Sequence, residues 1–432
     1  MSMNRKRVIV RHSIASVIAL ALFGGSRFLY NVIISRKFGV EVLGEINSLI
    51  SQAFFLAGFL AFFSIGVGKY TAEFLGRGEK NRIKSIAGIS FLSPLLGLVL
   101  MPINFSLALL SILRAIQLTF RSFIYGLHRG EVYAYSIMLG FTLFLLGFLG
   151  DPLLPYYLFL ATISVFGVVY LSREKLIGKP RINDFILLAK YSVWAFLGSA
   201  SGIFLIQGPY FLTDILSGSE SAGIVSAILS TAFLLSYLPQ VVQSAIVPIF
   251  AYDYGKGSME TSKRLAEVSV EMLSIATAII VFAILAFQPI IERIFRLKLG
   301  TLLLPALIGV EIYVSYNPLI NLLSATKFIR SSSIYAISGS IVSLISWLLL
   351  IPKHGALGTL IGLIMGYSTI FALTLAKTVK EFGVKPRITV PLFLAIILQL
   401  LSKFISPIIL VIAYLIIEWR KIRLFLHDIR SL

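Results

Sequence analysis

Cysteine is absent from this chain, which excludes disulfides, thiol catalysis and cysteine-ligated zinc. Histidine is nearly absent: four scattered residues give no ligand cluster, so neither a metal nor a cofactor is expected. Charge is scarce, with Asp, Glu, Lys and Arg making up 13% of residues, and acid is the scarcer sign, 19 residues against 38 basic ones. A P-loop is lacking too, since "YGKGS" has no glycine at the required upstream spacing, and an ATPase reading fails. Long polar connections are missing, which leaves no room for a large soluble α/β enzyme.

What fills the chain is hydrocarbon. Hydrophobic residues make up 58% of it and the mean hydropathy is +0.93. Apolar runs of about 20 residues, the length needed to cross a bilayer, follow one another almost without pause. The opening "MSMNRKRVIVRHSIASVIALALFGGS" has the order of a secretory signal, but its apolar run continues past Arg27 to Ser35, so an uncleaved first transmembrane helix is expected. Helices are expected near 12–36, 43–68, 85–103, 104–127, 131–149, 153–171, 185–216, 222–250, 266–291, 301–326, 331–352, 355–378, 388–402 and 404–419, fourteen in all. Lys403 and Pro407 interrupt the last stretch, which reads as one tilted span or a tight pair.

The net charge of +19 is confined mostly to the connections, so it speaks for membrane orientation rather than for nucleic acid. With the N-terminus cytoplasmic, the inside segments hold 27 Lys and Arg and the outside segments seven. This bias places both termini in the cytoplasm and favours a C-terminal pair. One connection dissents: "IERIFRLKLG" is basic yet external.

The stretch "KYTAEFLGRGEKNRIKSI" from Lys69 carries five basic residues, and "PIFAYDYGKGSMETSKRL" begins 179 residues later at Pro248. At that offset Gly39 pairs with Gly218, Glu41 with Glu220, Gly44 with Gly223, Ser51 with Ser230 and Phe54 with Phe233. Ala53, Leu56, Gly76, Gly78 and Lys84 pair likewise, and these ten identities lie within 46 positions where this composition returns roughly three by chance. The offset spans six helices, an even number, so both copies enter the membrane in the same direction. The expected fold is therefore an all-α polytopic membrane protein. Two six-helix lobes, 1–179 and 180–384, are related by a pseudo-twofold axis along the membrane normal, and 385–432 adds a helix pair and a basic tail. Each basic stretch is then the cytoplasmic connection between the second and third helices of its lobe.

The segment "ISRKFGVEVLGEINSLISQAFFLAGFL", followed by "GVGKYTAEFLGRGE", resembles the multidrug, oligosaccharidyl-lipid and polysaccharide exporter superfamily, and within it the polysaccharide flippases. Arg36, Gly39, Glu41 and Gly44 carry the pattern, which is clearest over residues 12–90. The resemblance implies alternating access and transport of a lipid-linked oligosaccharide from the inner to the outer leaflet of the cytoplasmic membrane. The extra C-terminal pair departs from twelve-helix polysaccharide flippases and is similar to the related lipid II flippases.

Ionisable residues within spans are where function is sought, because each Arg at mid-membrane costs about 2.5–3.5 kcal/mol. Arg114, Arg121 and His128 recur every seven residues and line one helix face with Gln117 and Tyr125. The stripe reads as a cationic wall for an anionic headgroup, with guanidinium forks matching phosphate oxygens; the alternative is snorkelling by Arg121 and His128 with Arg114 paired to an acid. Arg27, after Gly24 and Gly25, lies too deep to snorkel and is assigned to the cavity, whereas Arg36 suits an interface anchor equally. Gly24, Gly25, Gly208, Pro209 and Pro239 are candidate hinges or packing sites. Glu311, the one acid clearly in mid-helix, is either a site for a coupling H⁺ or Na⁺ or the counter-charge of an Arg.

The candidate substrate-binding set is thus Arg27, Arg114, Gln117, Arg121 and Tyr125, in a protein expected to be monomeric, to contact membrane lipids and to bind no nucleic acid. A multidrug exporter on the same scaffold needs intramembrane carboxylates to attract cations, and the excess of buried Arg speaks against it. A membrane-embedded glycosyltransferase or polymerase needs a roomy external loop with catalytic acids, and the external connections are short. No enzymatic activity is expected.

Overall fold

A chain in hydrocarbon must satisfy each backbone N–H and C=O internally, and here every apolar run does so as a helix. The computed structural model describes residues 5–430, which contain no strand. The chain forms two compact units, Met1–Gly223 and Ile224–Leu432. The first holds α1 (Arg5–Phe38), α2 (Val40–Leu60), α3 (Ser64–Arg77), α4 (Lys80–Leu92), α5 (Phe105–Gly126), α6 (Gly130–Gly147), α7 (Leu154–Arg173), α8 (Ile182–Ser217) and the first turn of α9 (Ser219–Ala232). The second continues α9 and adds α10 (Tyr237–Lys256), α11 (Glu260–Ala286), α12 (Gln288–Phe295), α13 (Leu303–Ser324), α14 (Ile329–His354), α15 (Ala356–Phe382), α16 (Val390–Leu401) and α17 (Pro407–Arg430).

Twelve helices among the described residues are long and apolar enough to cross a membrane, making this a multi-pass membrane protein. The stretch after Lys385 is two separate elements, and Pro386–Leu401 is shorter than the twelve. Several expected spans are broken. The second ends at Leu60, turns through Ala61–Phe63 and resumes as α3. The third begins at Lys80 and tightens into a 3₁₀ segment, Ser93–Leu100, where Pro94 enters. The eighth is interrupted by the 3₁₀ turn Phe233–Ser236. The basic "IERIFRLKLG" connection is not a plain loop: it forms α12, and Glu292 accepts from Gln288 Nε2 (2.9 Å) and from the amides of Leu299 and Gly300. The Gln288 amide, with those backbone donors, holds the Glu292 carboxyl below its usual range.

The division at Gly223 differs from the expected boundary at 179 because α8 packs along α2. Phe55 meets Phe204 and Phe211 at centroid distances of 5.7 and 6.1 Å, and Phe59 meets Phe196 at 5.1 Å. In the second unit α13 is the most completely buried span, its polar residues included, so it forms the unit's centre. Next to it, α14 and α15 pack through small residues: Trp347 lies on Gly362 and donates to Thr359 O at 2.8 Å.

The repeat is written in backbone conformation. Gly39 and Gly218, which start α2 and α9, share φ of +92° and +87°; Gly78 and Gly257, which end α3 and α10, share +74° and +72°. These are left-handed values that only glycine adopts without strain. Glu41 and Glu220 then sit in the first turns of α2 and α9, where the helix dipole favours an anion. The third identity has a steric cause. A Cβ on Gly44 would stand 1.7 Å from Ser219 O, and one on Gly223 would stand 1.9 Å from Val40 O. Val40 and Ser219 are themselves 179 apart, so the contact is reciprocal, as a local twofold demands. The two helices start side by side.

A Gly44→Ala protein is expected to lose about 1–3 kcal/mol of stability, as overpacking against backbone does. Gly76→Ala, at another repeat identity with nothing within 4 Å of its added methyl, should melt like wild type. Equal melting temperatures for the two variants in detergent would show that the crossing is not tight.

Candidate functional site

In the first unit α1 carries Phe23 and Arg27 one turn apart, and α2 presents Ser51 and Phe54 towards them. Arg27 donates from Nη1 to Gln207 Oε1 of α8 (3.2 Å) and from Nη2 to Ser51 Oγ (3.1 Å). Its guanidinium lies 4.3 Å from the Tyr210 ring centroid. On α5, Arg114 is held between two rings, 4.4 Å from Phe23 and 4.6 Å from Phe54, and donates to Gln117 Oε1 at 2.6 Å. The Gln117 amide in turn donates to Tyr133 OH. Tyr125 meets Tyr133 edge-on at 5.7 Å, and Arg121 lies 5.6 Å from the Tyr125 ring.

The five predicted binding residues are therefore brought together. Arg114, Gln117, Tyr133, Tyr125 and Arg121 form one chain of contacts down α5 and α6, and Arg27 joins it through the shared α1 and α2 faces. Neither Arg27 nor Arg114 has a carboxylate partner among the described residues, and Arg27 Nε is buried without an acceptor. Each stacking contact stabilises a guanidinium by about 0.5–2 kcal/mol, which orients the cation without neutralising it. The alternative that paired Arg114 with an acid is not what the structure shows.

Two expectations need correction. His128 leaves the stripe: α5 ends at Gly126, and His128 is exposed in a turn with φ of +57°. Four candidate hinges are not breaks, since α1 is continuous through Gly24 and Gly25 and α8 through Gly208 and Pro209. Pro239 differs. It occupies the first turn of α10 directly after the 3₁₀ segment, where a missing N–H leaves no bond unmade.

Sequence reasoning passed over Phe23, Phe54, Ser51, Tyr133 and Tyr210. A signal for two of them was present, because Ser51 and Phe54 are repeat identities.

The first basic stretch has a structural task. Arg82 Nε donates to Asp184 Oδ1 at 2.8 Å and Nη1 to Glu79 at 3.0 Å, with the guanidinium 4.0 Å from the Phe74 ring. It ties α4 to the start of α8.

In the second unit Gln243 donates to Asn321 (3.1 Å) and Asn321 to Asn317 (2.8 Å), a neutral ladder between α10 and α13. Glu311 is fully buried, with no basic group within ion-pair distance among the described residues. Gln399 of α16, also fully buried, faces it without closing a hydrogen bond. Of the two readings of Glu311, the counter-charge one thus finds no cation among the described residues. Glu311→Gln strands no cation and should leave thermal stability unchanged or raise it, since a buried unpaired acid is removed. A loss of about 3 kcal/mol or more on unfolding would restore the counter-charge reading.

No protein-family profile and no curated protein matches the sequence. Solved structures do match. An inward-facing multidrug resistance MATE family transporter of the MOP superfamily is similar with a TM-score of 0.63 at 14% identity, over 85% of this chain and 98% of that one. The lipid II flippase MurJ, in an inward closed conformation, gives 0.66 at 13% identity over 96% and 99%. The MATE multidrug transporter DinF-BH gives 0.61 at 15% over 88% and 96%. The chain shares the fold of these two multidrug transporters and this flippase.

Proposed function

We propose that this protein is a transporter that moves a lipid-linked oligosaccharide with a phosphate-bearing headgroup across the cytoplasmic membrane by alternating access. The observation that carries the reading is the pair Arg27 and Arg114, half-buried, oriented by aromatic rings and left without a carboxylate among the described residues. A diphosphate or phosphate supplies the missing anion, and guanidinium forks match its oxygens in pairs. The wider cover by the lipid II flippase fold, 96% of this chain against 85% for the multidrug transporter, supports a flippase over a drug exporter. The cationic wall supports the same choice, because it repels cationic drugs. The basic connections support a cytoplasmic position for both termini. Glu311, lacking a cation, suits an H⁺ or Na⁺ coupling role better than a structural one.

Deleting the gene and analysing lipid extracts tests the reading. A phosphate-linked saccharide lipid should accumulate in the inner leaflet. Normal lipid-linked saccharides together with hypersensitivity to cationic drugs would assign the chain to drug export instead.

A further inference from the structure

The repeat places a lysine at the same point of both basic stretches, Lys84 and Lys263, and the two corners they occupy differ. In each unit the corner is made by the turn after the second span, the turn between the fourth and fifth spans, and the end of the sixth. In the first unit it is closed. Gly178 N–H donates to Lys84 O at 3.0 Å, and Arg129 bridges to Glu174 at 3.2 Å and Tyr170 at 2.5 Å.

In the second unit the same corner is an open cavity of about 410 Å³, walled by Tyr254, Lys263, Lys327, Phe328, Glu381 and Phe382, with Ser258, Met259 and Glu260 at its edge. Phe328 and Phe382 meet edge to face at 5.7 Å and form an aromatic wall. Two ammonium groups stand over the Phe328 ring, Lys377 at 4.7 Å and Lys327 at 5.2 Å. The carboxylates are weak competitors. Glu381 is already held by Lys377 at 2.8 Å, and Glu260, 85% exposed, stands 3.9 Å from Lys263. Three lysines thus face two acids, and among the described residues Lys327 has no carboxylate within ion-pair distance.

A basic cavity at the ends of membrane spans, with an aromatic wall at headgroup level, has the chemistry of a phosphate site at the lipid surface. We propose that this corner of the second unit binds the phosphate of an anionic phospholipid headgroup, with Lys263 and Lys327 as its ligands and Phe328 as the wall behind it. The arginine site of the first unit takes no part, so the two assignments stand or fall separately.

The test uses the full chain in nanodiscs of phosphatidylcholine with about one-fifth phosphatidylglycerol, followed by native mass spectrometry of lipid retained after transfer to detergent. Lys263→Ala/Lys327→Ala should retain at least about five-fold less phosphatidylglycerol, and Lys263→Arg/Lys327→Arg should retain it as wild type does. Salt raised from about 0.05 to 0.5 M should weaken retention by the wild type, which needs no variant to fold. Glycerol phosphate or inorganic pyrophosphate, added in place of the anionic lipid, separates the sources. Equal binding of soluble phosphate without lipid would assign the cavity to a free anion and overturn the lipid assignment. Retention that is unchanged in the double Ala variant or insensitive to salt would remove the site altogether.

Discussion

Arg114→Ala and Arg27→Ala proteins are expected to reach the membrane at near-normal abundance and to transport about 10- to 100-fold more slowly, the loss of one charge-assisted contact to the substrate. Abundance should hold because neither arginine anchors an acid. Each contributes hydrogen bonds to neutral groups and ring contacts, and a shorter side chain there leaves Gln207, Ser51 or Gln117 able to turn to water or to one another. Transport should fall because the cation is what the rings of Phe23, Phe54 and Tyr210 hold in place. Lys at either position is expected to rescue in part, keeping the charge while losing the planar fork and its stacking. Phe54→Leu should act in the same direction more weakly, by loosening Arg114. The measurement is flipping of the accumulated lipid-linked saccharide in proteoliposomes alongside immunoblots of the membrane fraction; normal transport by both Ala variants would rule out the cationic-site mechanism.

Arg82→Ala should be the most destabilising single change in the first basic stretch. It strands Asp184, which is 2% exposed, and it bares the Phe74 ring. A broken buried pair is worth about 3–5 kcal/mol, but the Arg82 side chain is 31% exposed, so solvent screening lowers the expected loss to about 2–3 kcal/mol. Asp184→Leu in the Arg82→Ala background removes the stranded charge and should recover much of that loss. A double variant that melts no higher than Arg82→Ala alone would show that the destabilisation comes from the ring contact rather than from the ion pair.

How much of this could be read from residues alone follows from what each feature depends on. Helix position depends on local hydropathy, which a single sequence displays fully, so the apolar runs become helices; the turn at Ala61–Phe63 and the 3₁₀ segments at Ser93–Leu100 and Phe233–Ser236, which break three of them, do not show in hydropathy. The repeat was legible because Gly39, Gly78 and their partners are demanded by local backbone conformation, and Gly44 by a contact its own copy mirrors. Arg27, Arg114, Gln117, Arg121 and Tyr125 were found through the cost of charge and polarity in hydrocarbon. Their partners were not, because Phe23, Phe54 and Tyr210 are unremarked members of apolar runs until tertiary packing turns them to a guanidinium. Glu311 stayed open between two readings for a related reason: composition tells that a buried acid wants a cation, and only the packing of α16 sets Gln399 opposite it. The heptad spacing of His128 misled because periodicity does not announce where a helix stops.

The hydrogen bond from Arg27 to Gln207 joins residues 180 positions apart, and that distance has a meaning for how the chain is made. Translation at roughly 5–20 residues per second delivers α8 about 10–40 seconds after α1. Ser51 emerges within the first few seconds, and Phe23 and Phe54 are in place before Arg114 arrives, so the α5 cation finds its rings waiting. Arg27 instead enters the membrane early and carries a half-satisfied guanidinium through the synthesis of six helices. A nascent chain is therefore vulnerable to quality control throughout that interval, and truncations that end before α8 should be degraded faster than their hydropathy alone would suggest.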